Sequence, residues 1–162
     1  GKYFVTICTA QKTEWFGSVI NGKMHLSEIG HIASQMWYEI PVHFPFIDLD
    51  AFIVMPNHLH GIIVINRFIR TPIVGALHAT PLPPNDATDQ SNETMSFISP
   101  KSGSLSVVVR SYKSAVTKHV HRLYSHFSWQ HGFYDTIICT VGQMSRIRKY
   151  ISENTQCYSD KV

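Results

Sequence analysis

The chain has 162 residues, of which 44% are hydrophobic and 15% charged, with three cysteines and a formal net charge of +3. That balance excludes a disordered chain and a disulfide-stapled miniature, and no apolar run reaches the roughly 18 residues that a membrane-spanning helix needs. A pI near 8.8 is compatible with nucleic acid without arguing for it. A single domain burying about two-thirds of its unfolded surface is expected over residues 1–162. Cys8, Cys139 and Cys157 are odd in number and show no CxxC spacing, which suits a reduced, cytoplasmic chain. No signal-peptide pattern opens the sequence. It begins at Gly1, directly on an apolar strand, and reads as lacking its native N-terminus.

In chain order, Tyr3 to Thr9 is rich in β-branched and aromatic residues and reads as a strand. Residues 15–26 read as a hairpin turning at Asn21-Gly22. Ser27 caps a helix whose apolar residues Ile29, Ile32, Ala33, Met36, Trp37 and Ile40 follow helical spacing, and Pro41 and Pro45 end it. Strands over about 46–55 and 58–65 follow, joined through Pro56-Asn57. Residues 70–103 are dominated by Pro, Asn, Asp, Ser and Thr and read as a flexible insertion. A basic helix is predicted from Ser104 to Tyr124, a strand from Phe133 to Thr140, and a last helix from Gly142 to about Glu153. This order contains the ferredoxin-like split βαβ arrangement plus an added C-terminal helix. An α+β fold with an antiparallel-rich sheet and helices packed on it follows.

His58-Leu59-His60 stands at the head of the second of the paired strands. Alternating side chains put both imidazoles on one face, which is half of a metal site. On the last helix Ile147 and Ile151 form a core stripe, and Arg146, Tyr150 and Asn154 a neighbouring one at the same i,i+4 spacing. A tyrosine at the edge of an amphipathic helix is, by itself, more simply a half-buried packing residue.

The combination resembles the single-tyrosine HUH transposases, whose signature is His-hydrophobic-His with a tyrosine helix. Within them it looks most like the REP-associated tyrosine transposases. The stretches that carry the resemblance are YFVTICTA at 3–10, FIVMPNHLHGIIVI at 52–65, YKSAVTKHV at 112–120, WQHGFYDTII at 129–138 and RIRKYISEN at 146–154. The resemblance implies that His58 and His60 bind a divalent cation, that Tyr150 is the nucleophile, and that Asn154 completes the metal site through its side-chain oxygen. It also implies a covalent phosphotyrosine link made to single-stranded or hairpin DNA. The family's residues ahead of the first strand, which help to bind hairpin DNA, have no counterpart here. Thr155 stands where a Pro often follows the helix Asn.

Two imidazoles and an amide oxygen bring no negative charge, so the set suits Mg²⁺ or Mn²⁺ when phosphate supplies the anion. Arg146, Arg148 and Lys149 flank Tyr150, and Arg110, Lys113 and Lys118 lie on the basic helix with Arg122. These are candidate phosphate contacts, and for the second group a solvated helix face is an equal reading. Trp129, Phe133 and Tyr134 are either base-stacking residues or core. Tyr112, Tyr134 and Tyr158 are rival nucleophiles, but Tyr112 has Val116 where an Asn would be needed. The expected activity is metal-dependent nicking and strand transfer. The alternatives are a non-catalytic DNA-binding module and a metal-dependent hydrolase, for which Asp48 and Asp50 are the nearby carboxylates. Both a monomer and a homodimer with sites completed in trans are open, and no membrane partner is expected.

Overall fold

The computed structural model describes residues 1–66 and 103–159, with side chains through Gln156. All but the last residue of the insertion expected at 70–103 lies outside them, as do the side chains of Cys157 and Tyr158. Four strands form the main sheet: β1 (Lys2–Cys8), β4 (Ile47–Met55), β5 (His58–Ile65) and β6 (Tyr134–Ile137). Their order is β4-β5-β1-β6, and every neighbouring pair is antiparallel. That is the expected split βαβ sheet, with each parallel pair separated by an antiparallel strand. A separate hairpin, β2 (Gly17–Ile20) and β3 (Lys23–Leu26), turns through Asn21 and Gly22. Both turn residues have positive φ, at 51° and 72°, as a tight primed turn demands.

Helix α1 (Glu28–Tyr38) starts where expected, with the Ser27 hydroxyl accepting the Gly30 amide at 3.1 Å. It ends before Pro41, which instead occupies the first turn of a short helix, α2 (Ile40–His43), where a missing N–H costs nothing. Helix α3 (Leu105–Val120) stops one turn earlier than predicted, and α4 (Val141–Ser159) runs longer. Strand β6 is shorter than expected, four residues long and exposed throughout. A 3-10 turn at Ala10–Lys12, with Gln11 and Lys12 at positive φ, has no clear signature in the sequence.

Strand alternation sorts the core into two layers. Val5, Ile7, Leu59 and Ile63 meet Ala33 and Trp37 of α1 and Val108, Val109 and Val116 of α3 on one face. On the other face Phe4, Ile53, Ile62 and Val64 meet Met144, Ile147 and Ile151 of α4. The tyrosine helix therefore covers the face on which the residues in register with His58 and His60 lie. Between Leu49 and Phe52, β4 carries one more residue than β5, a bulge that contains Asp50. Among the described residues no helix is long and apolar enough to cross a membrane.

Candidate active site

The register of β1 against β5 sets Thr6 opposite His60 and Cys8 opposite His58. Opposed residues of an antiparallel pair share a face, so these four side chains stand together. The Nε2 atoms of His58 and His60 converge at 3.1 Å. Each Nδ1 has its own partner: Asn57 Oδ1 at 2.7 Å for His58 and Thr6 Oγ1 at 2.8 Å for His60. The Asn57 amide is oriented because its Nδ2 donates to the Lys12 carbonyl at 3.2 Å. Its oxygen must therefore accept from His58 Nδ1–H, which leaves the His58 Nε2 lone pair facing His60. Buried Thr9 anchors this loop, its hydroxyl donating to the Asn57 carbonyl at 2.9 Å.

Thr6 is a hydroxyl and so works in either direction. Without a cation it donates to His60 Nδ1, and His60 Nε2–H donates to His58. Rotated, it accepts from His60 Nδ1–H, and both Nε2 lone pairs then point to a common ligand. Phe4 stacks on the His60 ring at a centroid distance of 5.3 Å and closes one side of the site. Burial, followed by the neighbouring His58, lowers the His60 pKa to about 3. Burial, followed by Lys12, lowers that of His58. Both rings are thus neutral at neutral pH, the form that ligates metals.

Tyr150 projects from α4 with its Oη 3.4 Å from His60 Nε2 and its ring edge-on to Phe4. The contact is made within one chain. The tyrosine is 51% exposed, open to an incoming phosphate. Asn154 lies one turn further along α4 and is buried, and its side-chain amide has no hydrogen-bond partner among the described residues. No group of three or more His, Cys, Asp and Glu side chains able to hold a metal occurs among the described residues. Burial pushes the Cys8 thiol up, so without a metal it stays protonated at neutral pH. A cation here would rest on the two imidazoles and on oxygen atoms.

The candidate phosphate contacts divide. Arg146, Arg148 and Lys149 are exposed on α4. Arg148 is already engaged, donating from Nε and Nη2 to the two carboxylate oxygens of Asp50 at 2.8 and 2.6 Å, which ties α4 to the β4 bulge. Lys149 lies 3.9 Å from Glu153 in an exposed i,i+4 pair. Arg110, Lys113 and Lys118 are on α3, across the sheet from Tyr150. The Lys113 ammonium is spent on the carbonyls of Gln130 and Gly132, at 2.8 and 2.9 Å.

Tyr112, the rival nucleophile, is buried against α1 with its hydroxyl donating to the Ala33 carbonyl at 2.9 Å, and burial raises its pKa strongly. Trp129 packs among Phe16, Phe127 and Tyr112 as core, whereas Tyr134 is exposed. Asp48 pairs in register with Val64, about 20 Å along β5 from His58, so it is no base for a hydrolase. Sequence reasoning missed Thr6, Phe4 and the orienting role of Asn57. The first two were recoverable from the alternation of β1 only if its register against β5 had been known.

No protein-family model matches the chain. An uncharacterised protein of Haemophilus influenzae is 35% identical to it over 159 residues, which cover 95% of this chain and 79% of the relative. Among solved structures, a REP-associated tyrosine transposase bound to a REP hairpin superposes with a TM-score of 0.60. The match covers 98% of this chain and 68% of that one at 16% identity, a likeness of fold. The chain belongs to one family with the Haemophilus influenzae protein, and its fold is that of a REP-associated tyrosine transposase.

Proposed function

We propose that the chain is a divalent-cation-dependent enzyme that nicks and rejoins single-stranded DNA at a hairpin through Tyr150. The observation that carries the reading is the Tyr150 hydroxyl 3.4 Å from an imidazole pair whose Nε2 atoms converge at 3.1 Å. A hairpin is the substrate of choice because the solved transposase of this fold is bound to one.

Tyr150 Oη attacks the phosphorus of a phosphodiester and gives its proton to solvent, and one deoxyribose oxygen departs with the electrons of the broken P–O bond and takes a proton from solvent to leave as a hydroxyl. The P–O bond to tyrosine replaces the P–O bond that breaks, so the link stays reactive toward a new hydroxyl, which reverses the step on the same or another strand. His58, His60 and Asn154 would hold Mg²⁺ or Mn²⁺. Such a cation polarises a bound phosphate and offsets the charge that builds on its oxygens. Asn57 and Thr6 fix the imidazole orientations, Phe4 walls the site, and the Arg148–Asp50 pair holds the helix that carries the nucleophile. Exposed Arg146 is a phosphate contact beside it.

The test is incubation with end-labelled hairpin DNA and Mn²⁺ or Mg²⁺, followed by denaturing electrophoresis. An adduct that survives denaturation, is lost in Tyr150→Phe and persists in Tyr112→Phe is the expected result. Cleavage without an adduct would assign the chain as a hydrolase. Tight binding with neither product would leave a DNA-binding module.

A further inference from the structure

Lys12 stands beside the imidazole pair on a strained turn. It ends the 3-10 turn that follows β1, shortly beyond Cys8, which is in register with His58. Gln11 and Lys12 both hold left-handed backbone, with φ of 54° and 53°, a conformation that residues with a side chain adopt only at a cost. The turn is pinned at both ends. The Thr9 hydroxyl donates to the Asn57 and Thr13 carbonyls at 2.9 and 2.7 Å, and the Lys12 carbonyl accepts the Asn57 side-chain amide at 3.2 Å. The turn therefore lies against the loop that leads into His58, and Lys12 is exposed there.

The charge of Lys12 falls on one end of the imidazole pair. Burial is the larger influence on both Cys8 and His58, and the Lys12 charge is the next, lowering each pKa. His60 is shifted by burial and by His58 instead. Tyr150 stands at the other end, its hydroxyl 3.4 Å from His60 Nε2. The order across the site is thus Tyr150, His60, His58, Lys12. A phosphate undergoing displacement carries its attacking and leaving oxygens on opposite sides of phosphorus, roughly in line. Attack from the His60 end sends the leaving oxygen toward the His58 end. The other cation near Cys8, Lys113, is held by the carbonyls of Gln130 and Gly132. Arg146, Arg148 and Lys149 share the helix of the nucleophile.

We propose that Lys12 is a catalytic residue on the leaving-group side, its ammonium donating a hydrogen bond to the departing deoxyribose oxygen. As the P–O bond breaks, the electron pair stays on that oxygen, the ammonium offsets its charge, and the proton arrives from solvent. In the reverse step the incoming hydroxyl gives its proton to solvent beside the same ammonium. The inference rests on the Tyr150 reading and deepens it by naming the group opposite the nucleophile.

The experiment compares two hairpins, one all-oxygen and one with sulfur in place of the departing bridging oxygen at the mapped cleavage site. A thiolate is a far weaker base than an alkoxide and departs without help. Cleavage and adduct formation at saturating Mn²⁺ are timed for wild type, Lys12→Met and Lys12→Arg, and Mn²⁺ affinity is measured for each. On the all-oxygen hairpin Lys12→Met should be slower by about a hundredfold, the loss expected of one donor to a developing oxyanion, and Lys12→Arg should recover most of it. On the sulfur hairpin all three should react alike, and Lys12→Met should bind Mn²⁺ at least as tightly as wild type. Equal rates of Lys12→Met and wild type on the all-oxygen hairpin overturn the proposal. So does a defect that persists with sulfur, which marks a contact to the non-bridging oxygens. A defect that travels with weakened Mn²⁺ binding overturns it too, since that marks a support for Asn57. If the sulfur-rescued defect appears in cleavage that leaves no tyrosine adduct, Lys12 keeps its role and the Tyr150 reading falls. If wild type cleaves neither hairpin, both fall.

Discussion

Asn57 accepts the Nδ1–H of His58 at 2.7 Å while its own amide nitrogen is held on the Lys12 carbonyl at 3.2 Å. A loop residue thereby sets which nitrogen of the imidazole is free. Partners of this kind typically contribute tenfold to a hundredfold to metal affinity. Asn57→Ala should weaken Mn²⁺ binding by about tenfold, read by the free-Mn²⁺ electron paramagnetic resonance signal. Thr6→Val, which removes the partner of His60, should do the same, whereas Thr6→Ser should bind as wild type. Unchanged affinity in both Asn57→Ala and Thr6→Val would remove the orienting role from these residues.

The clamp between Arg148 and Asp50 predicts a kinetic effect. It fixes α4 two residues before the nucleophile, so its loss should misplace the phenol. Asp50→Asn and Arg148→Ala should each slow adduct formation by on the order of tenfold, with Mn²⁺ affinity retained. The exchanged pair Asp50→Arg/Arg148→Asp should recover part of the rate. A direct phosphate contact by Arg148 would instead give loss in Arg148→Ala alone and no recovery. The hydrogen bonds from Arg148 hold the Asp50 carboxyl below its ordinary value. A depressed carboxyl contributes above its unfolded pKa and loses that contribution as pH falls through the folded one. The clamp therefore holds at neutral pH and opens only in strong acid.

His60 sets the sign of the acid response. Its pKa is pushed down to about 3 by burial and then by His58. Between the ordinary histidine value near 6.5 and about 3, the unfolded chain binds a proton that the folded chain refuses. Stability of the metal-free protein should therefore decline as pH falls through that window and level off below it. Thermal denaturation in chelator from pH 7.5 to 3.5 should show this decline, shallower in His60→Asn. An equal slope in wild type and variant would assign the acid sensitivity elsewhere.

The elements that local chemistry dictates were legible in the sequence. Asn21-Gly22 specified the turn, Ser27 the helix start, and the 147/151 stripe the buried side of α4 beside its tyrosine. What was not legible depends on partners distant in sequence. Arg148 and Lys113 look like any surface cations until the fold brings Asp50 and the carbonyls of Gln130 and Gly132 to them. Thr6 and Phe4 look like generic strand residues until register sets them beside His60. The α1 boundary shifted for a local reason, since proline is tolerated in the first turn of a new helix as well as after the end of an old one.

Gly61, next to His60, gives the last test. Its backbone lies under the indole of Trp37, a fully buried ring stacked on Phe52, which pairs with Gly61 across the sheet. A methyl group there would run into the indole. Gly61→Ala should cost about 3 kcal/mol, the upper end for overpacking, because neither the strand nor the ring can move freely. That is a fall of roughly 6–12 °C in melting temperature for a chain of this size. The Trp37 indole nitrogen has no hydrogen-bond partner among the described residues, so Trp37→Phe sacrifices no hydrogen bond. The double variant Gly61→Ala/Trp37→Phe should therefore melt above Gly61→Ala alone. If it melts lower, the two losses are independent and the close approach of ring and strand is not what demands glycine. Because a displaced β5 carries His60 with it, Gly61→Ala should also weaken Mn²⁺ binding at temperatures where it remains folded.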